Sequence, residues 1–203
     1  MTAELELGPL SERLEHLVRL IGSPRFLQKQ GLGNEVPFFI CPFPASDAVP
    51  MEKLRKQLVN RLGQQGVRVL QINLYDLVRE IMVQHGDWDW WLTNEGSYSR
   101  QKLLDELQSI LDAETVIVPE IARRISRTEF DVLFLDGVGE VYPYIRSHNV
   151  LNNLQKVAKE KPTVMFFPGQ YTHSLEKGAS LDLFGRLRDD QYYRAFNIYD
   201  CEI

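Results

Sequence analysis

Four short apolar runs constrain the fold of this chain more than any other feature. They cover residues 36–41, 67–72, 132–135 and 163–167, and segments with helical spacing of leucine, isoleucine and valine separate them. Three of the four show no alternation of polar and apolar residues, so each reads as a strand covered on both faces. The run at 67–72 mixes Val67, Val69 and Leu70 with Arg68 and Gln71 and reads as a second, less enclosed strand. Strands that alternate with helices and are apolar on both sides imply an α/β fold: three layers, a mostly parallel sheet with helices on both faces. At 203 residues the chain is expected to form one domain over 1–203, with N-terminal helices of residues 10–30 packed on it. That size buries roughly 70% of the unfolded surface, enough to fold without disulfides or metal.

The helical stripes are specific. Leu10, Leu14, Leu17, Val18 and Ile21 form the first, ended by Gly22, and Ser23-Pro24 restarts a short helix. Gly31 to Asn34 reads as a turn. Ser46 or Asp47 caps a helix carrying Leu54, Leu58 and Leu62, and Leu74, Leu77, Val78, Ile81 and Met82 form the next. Residues 86–91 interrupt the pattern with Trp88, Trp90 and Trp91 set among Asp87 and Asp89. Ser99 then opens a helix with Leu103, Leu104, Leu107, Ile110 and Leu111. Residues 115–125 fit a strand at their start but a helix better overall, and a helix with Val150, Leu151, Leu154, Val157 and Ala158 follows the third strand. Pro168-Gly169 is expected to stop the fourth strand, residues 171–190 to form a long surface loop with a short helix around 181–187, and residues 194–199 to close the chain as a strand.

Composition removes several function classes. The hydrophobic share of 44% and charged share of 25% are ordinary globular values and exclude a disordered or fibrous chain. The longest apolar run is far short of the roughly 20 residues of a membrane helix. A net charge of −5 provides no global attraction to phosphate backbones. Cys41 and Cys201 make no CxxC or zinc spacing and read as small apolar residues in a reducing compartment. The acidic N-terminus lacks a signal core, so a cytoplasmic location is expected.

Ligands of open parallel sheets sit beyond the carboxyl ends of the strands. The strand ending in Leu135-Asp136-Gly137 resembles the acid-tipped strand of nucleotide hydrolases, in which the Asp holds magnesium through water. Its necessary companion, GxxxxGK[ST], is absent, and the loop after the first strand, residues 42–47, has neither glycine nor lysine. Gly137-Val138-Gly139 begins a GxGxxG-like turn, but Tyr142 stands at the third glycine. Asp136, Glu140 and His148 match no metal spacing, and no Ser lies in GxSxG. Asp136, Glu140, Arg146, His148, Asn149, Asn152 and Asn153 are therefore either a ligand pocket or a hydrogen-bonded structural network, with Ser147 or Asn149 as a helix cap. Trp88, Trp90, Trp91, Tyr171, Arg186 and Arg188 are candidates for contact with a partner, although for the three tryptophans packing onto the protein's own helices is the default. Arg123, Arg124 and Arg127 form a possible basic edge for nucleic acid. In residues 189–194, Tyr192 and Tyr193 are expected to anchor the loop and Arg194 to pair with an acid.

Residues 31–38, 137–154, 166–169 and 189–196 together resemble the BrxB family, a small component of BREX (bacteriophage exclusion) defence systems. The likeness extends over about residues 11–198. It implies a cytoplasmic role in anti-phage defence beside the methyltransferase PglX, the phosphatase-like PglZ and the ATPase BrxC, with PglZ the first partner to test. It brings no catalytic residues, cofactor or metal with it. The joint expectation is a nucleotide-hydrolase-like fold, by analogy, without its phosphate loop, reused as a non-enzymatic adaptor. The alternatives are a metal- or nucleotide-dependent phosphoryl-transfer enzyme built on Asp136, Glu140, Arg146 and His148, and a nucleic-acid-binding subunit.

Overall fold

The computed structural model describes residues 8–30, 37–174, 178–185, 187–189 and 195–202. Val36, the expected turn at Gly31 to Asn34, Arg186 and the contacts assigned to Tyr192, Tyr193 and Arg194 lie outside the described residues. Five strands run parallel in the order β2-β3-β4-β1-β7: β1 Phe38–Phe43, β2 Val69–Asn73, β3 Val132–Asp136, β4 Thr163–Ser174 and β7 Phe196–Asn197.

Side-chain alternation along these strands divides the core in two. Phe39, Cys41 and Phe43 of β1, Val132 and Phe134 of β3, and Val164 and Phe166 of β4 face one helical layer. That layer is α1 Leu10–Ile21, α2 Pro24–Leu27 and α3 Ala48–Gln64, in which Met51, Leu54, Leu58 and Leu62 form the buried stripe. Phe38, Ile40, Leu133, Leu135, Met165 and Phe167 face the opposite layer. Its helices are α4 Leu74–His85, α5 Trp88–Asn94, α6 Arg100–Ile110, α7 Val118–Arg127 and α8 Ser147–Leu154. Strands flanked on both sides carry apolar residues at every position because neither face meets water.

Arg13 ties the first layer to the chain's end. Its guanidinium, 5% exposed, donates to Asp47 Oδ2 at 3.3 Å, Tyr199 OH at 3.3 Å and Met51 Sδ at 3.2 Å. Asp47 thus occupies the N-cap position of α3, as expected, but spends its carboxylate on Arg13 rather than on the helix amides. Cys41 is buried against Tyr199 OH at 3.4 Å, and burial pushes its thiol up to about 11. It is a packing residue.

Several expectations require correction. The interruption expected over residues 86–91 is confined to Gly86 and Asp87: Gly86, at φ 82, ends α4, and Trp88–Asn94 already form helix α5. Residues 171–190 do not form a loop with a helix. Strand β4 continues through Pro168-Gly169 to Ser174 and pairs antiparallel with β5 Gly178–Leu183, which pairs with β6 Leu187–Asp189. The pair Pro168-Gly169 changes the strand's partner instead of stopping it. Pro168 lacks an N–H, but its carbonyl accepts from Phe184 N at 2.8 Å. At Gly169 a Cβ would lie 2.2 Å from Asp182 O, so only glycine admits β5. The closing strand also ends earlier than residue 199: among the described residues Phe196–Asn197 pairs with β1, and a 3-10 turn Ile198–Asp200 follows.

Phe134 is fully buried, with its ring centroid 5.2 Å from that of Phe166. Phe134→Ala is expected to cost about 3–5 kcal/mol, read as a lower urea midpoint at unchanged slope. A loss under about 1 kcal/mol would show that this contact does not hold the sheet to its helices.

Candidate functional site

A cleft of about 720 Å³ opens at the carboxyl ends of β1, β2, β3 and β4, on the α3 side of the sheet. The period of two that sorts the core also places its wall. Phe43, Phe166 and Pro168 continue the α3-facing rows of β1 and β4, and Asp136 continues the row of Val132 and Phe134. The chain leaves β1 toward α3 and β3 toward α8, on opposite faces of the sheet, the arrangement that opens a crevice in such folds.

Asp136 is the polar centre of this wall and is 3% exposed. Asn73 and Asp136 are the last register pair of β2 and β3, which brings Asn73 Nδ2 to 2.5 Å from Asp136 Oδ1. Asn73 Oδ1 meanwhile caps α4, accepting from Tyr75 N at 2.9 Å and Asp76 N at 3.0 Å. Arg55, beside the buried stripe of α3, places Nη1 2.7 Å from the same Asp136 Oδ1. Its Nε is buried without a hydrogen-bond partner among the described residues. Burial raises the Asp136 carboxyl above the ordinary Asp range and Glu140 adds to the rise, while Arg55 and Asn73 oppose it. Gly137 turns away at φ 76, where a Cβ would lie 2.7 Å from the Asn73 side chain, so the turn beside Asp136 must be glycine.

The other sequence candidates divide between cleft and fold. Glu140 lines the cleft beside Asp136; Arg146, His148, Asn149, Asn152 and Asn153 do not. His148 is buried, and Arg146 and Asn149 are exposed. Asn153 Nδ2 donates to Asn149 O at 3.0 Å and its Oδ1 accepts from Lys156 at 3.1 Å, a helix-surface network. Neither Ser147 nor Asn149 caps α8: Arg146 occupies the N-cap without a side-chain bond. The four residues of the phosphoryl-transfer reading are thus not assembled, and among the described residues no three His, Cys, Asp or Glu side chains form a metal cluster.

The family model described as "BREX protein BrxB" matches residues 70–198. A BREX protein BrxB of Bacillus cereus (strain H3081.97) is 32% identical over 195 residues, covering 94% of this chain and 98% of that relative. One from Escherichia coli O9:H4 (strain HS) is 26% identical over 189 residues, covering 93% and 91%. The chain belongs to the BrxB family. Membership gives it a role in BREX anti-phage defence. No solved structure matches it.

Within this BrxB-family fold the proposed contact residues also separate. Trp90 is 49% exposed, while Trp88 and Trp91 pack partly against the core. Tyr171 is not a surface residue: it is 6% exposed, and its hydroxyl donates to Ala195 O at 2.5 Å. Arg188 falls in β6. The basic edge is largely neutralised, since Arg123 pairs with Glu120 at 2.5 Å and Arg124 with Glu80 at 2.6 Å. Among the described residues no helix is long and apolar enough to cross a membrane.

Sequence reasoning missed Arg55 and Asn73. Asn73 stands between a strand and the first apolar residue of a helical stripe, the position of an N-cap, and was legible there; nothing marks Arg55 among the lysines and arginines of α3.

Removing one member of a buried ion pair strands the other. Asp136→Ala is expected to destabilise the fold by about 3 kcal/mol, because Arg55 keeps its charge at 17% exposure. The raised Asp136 carboxyl also has a pH signature. Its contribution to stability is full below the unfolded-state range and is lost as pH rises through the raised folded value. Wild type is therefore expected to gain on Asp136→Asn as pH falls from about 7 to about 4, read from urea midpoints. The opposite slope would show that pairing with Arg55 outweighs burial.

Proposed function

We propose that this protein serves BREX defence as a non-enzymatic adaptor that binds another protein of the system, with a PglZ-like protein as the first partner and BrxC-like or PglX-like proteins next. The observation that carries this reading is the state of Asp136. A hydrolase carboxylate of this position must keep its oxygens open to magnesium-bound water. Here Oδ1 is shared between Arg55 and Asn73. The preceding loop cannot wrap a polyphosphate either: it runs from Pro42 through Pro44 into a 3-10 turn at Ala45–Asp47, without glycine or lysine. Exposed Trp90 and Leu92 on α5 supply the kind of aromatic and apolar surface that partner contacts use.

The expected result of size-exclusion mixing is co-elution with the PglZ-like protein. No co-elution with any of the three partners would sink the adaptor reading. The second reading, phosphoryl transfer, draws only on the cleft volume, which lies within the range of small-molecule sites. Thermal shift with nucleotides and magnesium or manganese tests it: ligand at about 100 Kd adds roughly 2.7 kcal/mol, and a flat screen removes the enzyme. The nucleic-acid reading loses support, because Arg123 and Arg124 already have carboxylate partners.

A further inference from the structure

The cleft holds a charge imbalance that its own residues do not resolve. Glu52 pairs with Lys56 at 2.6 Å and Asp136 with Arg55 at 2.7 Å, so both cations lining the cleft are engaged. Asp76, in the first turn of α4, and Glu140, in the turn after β3, line the same cleft, are exposed, and have no ion-pair partner among the described residues. The remaining surface is apolar. Val49 of α3 is 65% exposed and Phe184 of the β5–β6 turn 40% exposed. Phe184 is held at φ 55, an unusual backbone conformation for an aromatic residue, with its ring close over Gly139. A Cβ at Gly139 would lie 2.9 Å from that ring, so the glycine lets Phe184 cover the cleft.

We propose that this cleft is a docking site for a lysine or arginine flanked by an apolar residue on a segment of a partner protein. The cation meets Asp76 and Glu140, and its apolar neighbour meets Phe184 and Val49. An anionic ligand is disfavoured, since it would face four carboxylates while both cations are already paired. A free metal ion lacks three converging ligands among the described residues. A basic side chain fits the complementary charge, and its long alkyl stem fits the apolar walls. The inference rests on the adaptor reading only in taking the ligand to be a protein.

Two measurements separate the site from that reading. In the first, the full chain labelled with ¹⁵N is titrated with a blocked tetrapeptide alternating phenylalanine and arginine, and with its glutamate counterpart. The arginine peptide is expected to shift the amides of Gly137, Gly139 and Phe184; the glutamate peptide is not. The double variant Asp76→Asn/Glu140→Gln is expected to bind several-fold to about tenfold more weakly, and added salt to weaken the wild type. Both residues are exposed, and circular dichroism checks that the variant is folded. No shift at these amides, equal shifts with both peptides, or unchanged affinity in the folded variant overturns the site. In the second, the same variant is mixed with the PglZ-like protein. Weaker co-elution than wild type supports docking through the cleft. Co-elution equal to wild type overturns it while leaving the adaptor role intact. Failure of wild type to co-elute with any BREX protein, with selective peptide binding retained, removes the adaptor role and leaves the cleft's preference for basic segments standing.

Discussion

The guanidinium of Arg55 is the point on which the candidate site turns. It reaches from α3 over the carboxyl end of the sheet to a carboxylate that the strand pattern has already buried. Without it, Asp136 would be a charge in a largely apolar wall, an arrangement that proteins avoid by pairing or protonation. With it, α3, β2 and β3 meet at one oxygen atom, because Asn73 joins the same Oδ1 while capping α4. The interaction that closes this corner of the fold thereby engages Oδ1 of the carboxylate that stands at the centre of the cleft wall.

The rim is built by a different device. Strand β4 leaves its parallel neighbours at Pro168-Gly169 and becomes one side of an antiparallel ribbon. The missing side chain at Gly169 lets the Asp182 carbonyl approach, and the ribbon's turn then carries Phe184 back over Gly139. On the opposite wall, Arg13 anchors the entry to α3 through Asp47 and Met51 and binds Tyr199 at the end of the chain. Both walls of the cleft are therefore set by contacts between residues far apart in sequence.

The stretch that most specifically resembles the BrxB family, residues 137–154, is divided between these tasks. Gly137 to Glu140 line the cleft. Val141, Ile145, Val150, Leu151 and Leu154 are buried in the core opposite α3. Much of the string builds the core, and its first turn lines the cleft. Two arginines of α7 behave likewise: Arg123 and Arg124, which look free along the chain, pair with Glu120 and Glu80.

The parallel α/β architecture was legible in the chain because uninterrupted apolar runs have one stable solution, a strand covered on both faces, and the helical stripes between them supply the covers. Asp136 at a strand end was legible for the same reason, and Ser23 and Ser99 as caps because capping is a local hydrogen bond. Local pattern misjudged what depends on distant partners. Pro168-Gly169 reads as a stop until β5 is there to receive it. Tyr171 reads as a surface residue until Ala195 accepts its hydroxyl, and residues 86–91 read as an interruption although Trp88 to Trp91 are helical. The pairing of Arg55 with Asp136 spans a whole crossover, from a helix to a strand formed much later in the chain. Periodicity reports which face a side chain takes; only the assembled sheet decides which charge waits on that face.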